Sequence, residues 1–287
     1  MDLAATETPG MHIIRDLPPN ARRIGVLAGS FNPLTHGHEA LIDAARRAGI
    51  DATLLLLPLQ AIDKAAVSRA SLADRVLVAA EWAEHRGNVG VGLINRGLYA
   101  EQADLLATIF PHADFAFLVG FDKIGQILDP RYYTDRDAAL DNLFARASCV
   151  VAPRLGQTEA DLQQLLIRDE NRRYSARISP LDVDASVDAV SSTLVREAAR
   201  EGRDWERLVP PETTAFLKEA RPYSEPMRLP DGEEIDIYGL RLALLEAGAA
   251  GRLGAAPDFA HLCRTASTPT PEGKKLRQWL AGSSRKR

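Results

Sequence analysis

Uninterrupted apolar runs of strand length alternate with stretches of helical period along most of this 287-residue chain. RIGVLAG, ATLLLLP, NVGVGLIN, DFAFLVG, SCVVAPR and RISPLDV predict strands at 23–29, 52–58, 88–95, 114–120, 148–154 and 177–183. Between and after them the spacing predicts helices over 38–49, 71–85, 100–110, 136–147, 158–173, 191–202 and 211–220. Gly49 stands at the C-terminal cap of the first helix, Ser71 with Asp74 opens the second, and Thr158 opens the fifth. Strands that are apolar throughout and separated by helices predict an α/β fold, a parallel sheet covered on both faces. Such sheets bind ligands at the carboxyl ends of their strands.

RPYSEPMRLPDGEE, rich in Pro and charge, reads as a linker after this pattern, followed by short helices in IDIYGLRLALLEAGAAGRLG and PEGKKLRQWLAG. We therefore expect a loose N-terminal leader at 1–21, a main domain at 22–222, and a linker with a small helical C-terminal extension at 223–287. The leader carries Pro9, Pro18 and Pro19 and lacks the basic start and apolar core of a secretory signal. The most apolar run, ATLLLLPL, is far shorter than the roughly 20 residues that span a bilayer. Composition is 46% hydrophobic and 26% charged, with a net charge of -4, which argues against nucleic acid as a bulk electrostatic partner. Cys149 and Cys263 are the two cysteines, too few and too far apart for a disulfide framework, so a cytoplasmic protein is expected. The sequence leaves a homo-oligomer open.

The chemistry concentrates in GVLAGSFNPLTHGHEALIDAARRAG, residues 25–49. A strand runs into a loop with Gly29 and Ser30, stiffened by Pro33, and then into a helix start bearing His36 and His38. Glycine there lets backbone approach a ligand, and the free N–H groups near Gly37 form an anion site. The histidines read as donors aimed at the same anion, a phosphate chain. A metal reading is set aside, because no Cys or third His stands near them. In AVSSTLVREAAR, Ser191, Ser192 and Thr193 open a helix with Arg196 a turn later, which suits a second phosphate cradle; Ser191 acting only as a cap is the plainer alternative. Trp82 and Cys149 fall in apolar patterns and read as packing residues.

GSFNPLTHGH resembles the G-x-F-x-P-x-x-x-G-H signature of the nucleotidyltransferases that carry the [HT]-x-G-H motif, and SSTLVR resembles their S-S-T-x-x-R. Within that superfamily the chain is most similar to nicotinate and nicotinamide mononucleotide adenylyltransferases, over roughly residues 22–220. RGLYAEQADLLATIFP, FLVGFD and VVAPRLG add weaker likeness. The resemblance implies a Rossmann-like doubly wound parallel sheet and transfer of AMP from ATP to a nucleotide phosphate, with pyrophosphate leaving and no covalent intermediate. It implies that Thr35 and His38 touch the ATP phosphates, with His38 stabilising the α-phosphoryl transition state, and that His36 occupies a variable position. Ser192, Thr193 and Arg196 would hold the β- and γ-phosphates. Gly29, Ser30 and Phe31 would shape the junction of ATP and acceptor, and Gly120 and Asp122 would lie near the adenosine ribose. Lys64 and Arg154 would be further phosphate contacts by the same likeness, Lys64 on ATP and Arg154 on the acceptor. Mg2+ is expected on the phosphates, with no dedicated protein cage.

The pyridine-nucleotide enzymes usually carry a Trp shortly after G-x-D. Here GFDKIGQILDPRYYTDRD has none, which leaves Tyr132 or Tyr133 as an aromatic face for the acceptor, or as packing residues. Two other readings stay open. The chemistry could serve a different acceptor, such as phosphopantetheine, a sugar phosphate or a CTP-dependent reaction. A catalytically silent nucleotide-binding sensor is the third, disfavoured by His38 and Arg196, because binding alone needs no transition-state donor.

Overall fold

The computed structural model describes residues 8–59, 70–154, 156–184, 190–229, 232–253 and 258–284. By contact density the chain falls into two compact units, Met1–Val195 with Trp205–Thr213 and Arg196–Asp204 with Thr214–Arg287. The first is an α/β unit. Its elements in order are β1 (Met11–Arg15), β2 (Arg23–Ala28), α1 (His36–Arg47), β3 (Ala52–Pro58), α2 (Leu72–Glu84), β4 (Val89–Ile94) and α3 (Tyr99–Ile109). They continue with β5 (Asp114–Gly120), α4 (Phe121–Ile127), α5 (Arg136–Arg146), β6 (Ala147–Ala152), α6 (Glu159–Leu166), α7 (Asp169–Arg172) and β7 (Ile178–Pro180). The boundary between the units passes through α8 (Ser192–Arg200), and α9 (Pro211–Ala220) follows it.

One seven-stranded sheet carries this unit, in the order β1-β4-β3-β2-β5-β6-β7. All neighbours pair parallel except β1, which runs antiparallel to β4. The six parallel strands have the doubly wound order, and their direction of progression reverses between β2 and β5. A crevice at such a reversal is where open α/β sheets take ligands. The apolar strands divide by residue parity. Leu54 and Leu56 of β3 and Phe115, Phe117 and Val119 of β5 enter the core under α3, α4 and α5. Leu55, Leu57, Ala116 and Leu118 enter the opposite core with Ile42 of α1 and Trp82 of α2. This is the two-faced parallel sheet that the sequence predicts, with helices on both sides.

Two segments differ from the sequence expectation. The stretch expected as a loose leader supplies β1, an edge strand in which Met11, Ile13 and Arg15 turn inward by period two. Small residues in β4 make room for it: a Cβ on Gly90 would lie 2.9 Å from the Arg15 carbonyl oxygen and from Leu17. The prolines around β1 hid its short alternation. The helix expected over 158–173 is interrupted. The Asn171 side chain donates to the Leu165 carbonyl (2.9 Å), ends α6, and is itself held by Arg136 (2.5 Å).

The second unit pairs β8 (Met227–Arg228) with β9 (Glu234–Ile235) in the stretch expected as a linker. Gly232 turns that hairpin with φ 85. Beyond it α10 (Ile237–Ala249), α11 (Phe259–Ala266) and α12 (Pro271–Ser284) share a small core of Leu244, Ala247, Ala266 and Leu280. Buried Arg277 donates to both carboxylate oxygens of Glu233, each at 2.8 Å, tying α12 to the hairpin.

The register of β1 has a direct test in neighbouring isoleucines. Ile13→Ala should cost about 1–2 kcal/mol of unfolding free energy, as removal of partly buried methyl groups does. Ile14 is 41% exposed, so Ile14→Ala should stay within about 0.5 kcal/mol in the same urea titration.

Candidate active site

The loop between β2 and α1 leaves the carboxyl end of a central strand at the sheet's reversal point. Phe31 adopts φ 45, one of two non-glycine residues with positive φ among those described. An L-residue reaches that region at a cost, so the surroundings must hold it there. The buried Phe31 ring stands edge-on to His38, with centroids 5.1 Å apart.

Thr35 is the N-cap of α1, fully buried and extended, and His38 occupies the third helical position. The Thr35 backbone N–H donates to His38 Nδ1 at 3.0 Å, and Thr35 Oγ1 lies 2.9 Å from the same nitrogen. A backbone N–H can only donate, so Nδ1 is an acceptor and the neutral ring carries its proton on Nε2. His38 is only partly open to solvent. Loss of hydration pushes its pKa down to about 4, the positive charge of Arg154 adds to the shift, and Glu39 opposes it. At neutral pH the ring is an uncharged Nε2–H donor. The cationic character that would be unwelcome at a helix N-terminus is therefore absent from His38.

His36 points to another task. Its Nδ1 is paired with Glu39, and Glu39 in turn accepts from Trp82 Nε1 at 2.8 Å and Arg86 Nη2 at 2.6 Å. The Arg86 guanidinium lies 4.0 Å over the Trp82 ring. Trp82 is a core residue, as its pattern predicts, and also a donor. Glu39 escaped the sequence reading, although its place three residues after His36 on one helix face was the available signal.

The two signature segments meet. Ser192 Oγ donates to the Pro33 carbonyl at 2.8 Å, across 159 residues of sequence. A Cβ on Gly37 would sit 2.5 Å from the Val190 carbonyl oxygen, so the segments pack too closely there for any side chain. Ser191 accepts from the Leu194 N–H (3.2 Å) and serves as the cap. Thr193 is exposed at the helix start. Arg196 follows on α8 and belongs to the second unit. Lys64 lies outside the described residues.

Across the reversal point, Gly120 ends β5 and is the N-cap of α4. Asp122 pairs with Arg154 at 3.7 Å, and a Cβ on Gly120 would crowd Asp122 Oδ1 at 2.8 Å and Arg154 Cδ at 3.3 Å. Arg154 thus stands beside both Asp122 and His38. Next to them a cavity of about 370 Å³ opens between the ends of β6 and β7 and the start of α6, lined by Phe121, Ala152, Pro153, Thr158, Leu181 and Asp182 among others. Tyr133 is half-buried against the main core and donates its hydroxyl to the Ile127 carbonyl at 2.8 Å, and burial pushes its pKa up to about 12. Tyr132 ends a short 3-10 turn and is partly exposed.

Among the described residues, no group of three or more His, Cys, Asp or Glu is placed to hold a metal ion. The donors around His38 are a neutral imidazole, a hydroxyl, helix N–H groups and a guanidinium, a set that suits an anion.

No family model matches the chain. It is 31% identical over 211 residues to a protein of Gloeobacter violaceus curated as a probable nicotinate-nucleotide adenylyltransferase, covering 71% of this chain and 97% of that one. A relative from Dehalococcoides mccartyi, also curated as a probable nicotinate-nucleotide adenylyltransferase, is 27% identical over 209 residues, covering 70% of this chain and 97% of its own. The fold is similar to the solved Plasmodium falciparum nicotinic acid mononucleotide adenylyltransferase complexed with NaAD, at a TM-score of 0.51 and 14% identity over 70% of this chain and 97% of that one.

The state of His38 can be read by nitrogen NMR. Its folded pKa lies below the ordinary value of 6.5, so the unfolded chain binds a proton that the folded one does not between that value and about 4. Stability should therefore fall as pH drops through this window. The ring should stay neutral with the proton on Nε2 at pH 6; an imidazolium at that pH contradicts the assignment.

Proposed function

The chain belongs to the nicotinate-nucleotide adenylyltransferase family, and on that premise we propose how its residues carry out the reaction. It is a nucleotidyltransferase of NAD biosynthesis, moving AMP from ATP to nicotinate or nicotinamide mononucleotide with release of pyrophosphate. The nucleotidyltransferase region is taken as residues 22–222. The observation that carries the site assignment is the contact of Ser192 with the Pro33 carbonyl, beside Gly37 against Val190.

In the proposed mechanism an oxygen of the acceptor phosphate attacks the α-phosphorus in line, and the bond to the β-phosphate oxygen breaks. The electron pair leaves with pyrophosphate. Such a step needs positioning and charge neutralisation more than proton transfer. Thr35 fixes the His38 ring so that Nε2–H donates to an α-phosphate oxygen as negative charge shifts there. A neutral donor loses no proton to the phosphate, while Arg154 supplies the nearby positive charge. The first N–H groups of α1 face the same anion. Ser192, Thr193 and Arg196 hold the β- and γ-phosphates, with Ser192 and Arg196 one turn apart on α8. His36 is turned toward Glu39, so its contribution to ATP is through the shape of the helix start.

A Mg2+ ion accompanying ATP would supply further neutralisation of the phosphate charge, beside the Thr35–His38 and Ser192–Arg196 segments that would hold the triphosphate. Gly29, Ser30 and Phe31 separate ATP from the acceptor, and Gly120 and Asp122 lie toward the ribose. Tyr132 and Tyr133 are the aromatic residues expected to offer a face to a pyridine ring, and the bond from the Tyr133 hydroxyl to the Ile127 carbonyl fixes the position of the tyrosine ring. Cytoplasmic residence is part of the proposal and rests on the two widely separated cysteines.

Incubation with MgATP and a panel of mononucleotide and other phosphate acceptors, followed by pyrophosphate release and product identification, tests the reading. Turnover with nicotinate or nicotinamide mononucleotide is expected. His38→Ala should lower kcat by about 10²-fold or more, the usual cost of one preorganised donor. Arg196→Ala should weaken both ATP binding and turnover. Turnover with another acceptor alone, or an unchanged kcat in His38→Ala, contradicts it.

A further inference from the structure

Arg75 lies on α2, 45 residues from the GSFNP loop, in a helical pattern that gave no hint of function. It is buried, at 7% exposure. Nη1 donates to the Ser30 carbonyl at 2.7 Å and Nε to the Ala70 carbonyl at 3.3 Å. A guanidinium is costly to remove from water, and these are charge-assisted bonds to neutral backbone. The first of them lands inside the loop that separates ATP from its acceptor.

The consequence follows from peptide geometry. The Ser30–Phe31 bond is not the cis bond of this loop, which is Asn32–Pro33. In a planar trans peptide the C=O and the following N–H point in opposite directions. Holding the Ser30 oxygen against Arg75 therefore turns the Phe31 N–H away from α2. That N–H makes no hydrogen bond with any described residue. The same fixed plane precedes the positive φ of Phe31, whose ring meets His38. We propose that Arg75 is a positioning residue: by gripping the Ser30 carbonyl it aims the Phe31 N–H at the reacting phosphates and sets the Phe31 ring that flanks His38. This rests on the reading of the loop as the junction of ATP and acceptor. A side chain that never touches substrate then governs two of the groups that do.

The test compares wild type with Arg75→Lys and Arg75→Gln, and with Leu106→Ala as a core variant remote from the loop. Both Arg75 variants should unfold cooperatively yet lose about 10- to 100-fold in kcat, the scale of a small misplacement at a reacting centre, with KM for ATP changed less than about threefold. Leu106→Ala should lose stability and keep its kcat at temperatures well below its melting point. Independently of turnover, a non-hydrolysable ATP analogue should shift the Phe31 amide resonance in wild type and not in Arg75→Gln. If wild type turns over and both variants keep kcat within about twofold, the role of Arg75 falls while the adenylyltransferase reading stands. If wild type turns over no acceptor, that reading falls, and the amide shift alone decides for or against Arg75. Failure of both variants to fold would show that Arg75 serves the core and would overturn the proposal.

Discussion

The hydrogen bond from Ser192 to the Pro33 carbonyl joins the loop that leaves the central strand to the helix that begins 159 residues later. Everything proposed for the site depends on that junction and on the missing side chain beside it. Gly37 brings helix α1 against the Val190 carbonyl at a distance no Cβ tolerates. Two helix starts are thereby placed near one another in the same compact unit. The doubly wound sheet sets the stage by reversing its order between β2 and β5, so that the loops after both strands rise from adjacent positions.

Within that frame the electrostatics are divided among residues. His38 stays neutral because it is desolvated beside Arg154, and its tautomer is imposed by the Thr35 N–H. The permanent charge belongs to Arg154, which Asp122 partly balances. Glu39 holds His36, Trp82 and Arg86 together and anchors the first turn of α1 onto α2. The local rule most visibly broken, a positive φ at bulky Phe31, falls in the same loop. Backbone kept in a costly conformation is the kind of feature that gathers at functional loops, although Arg221, outside this loop, shares the positive φ.

Much of this was legible in the sequence. ATLLLLP, DFAFLVG and PETTAFLKEA form their elements at the expected bounds, because buried strands and a proline-opened helix leave little ambiguity. The juxtaposition of the two signatures was also anticipated. What stayed hidden depends on long-range partners. β1 is five residues of alternation among prolines, and only the glycines of β4 explain its place. Arg75 and Glu39 look like ordinary charges on amphipathic helices until the sheet brings Ser30, Trp82 and Arg86 to them. Tyr133, offered as an aromatic face or as a packing residue, packs against the main core and donates its hydroxyl to the carbonyl six residues back.

A double-mutant cycle in unfolding free energy between Gly37→Ala and Ser192→Ala addresses the junction itself. If both residues serve one contact, a Cβ at 37 displaces the Val190–Ser192 segment and already breaks the bond to Pro33. Ser192→Ala should then cost less in the Gly37→Ala background than in wild type, with a coupling of roughly 0.5–3 kcal/mol. Strict additivity of the two losses would show that the segments are not held together there, and the account of a shared phosphate site would fail.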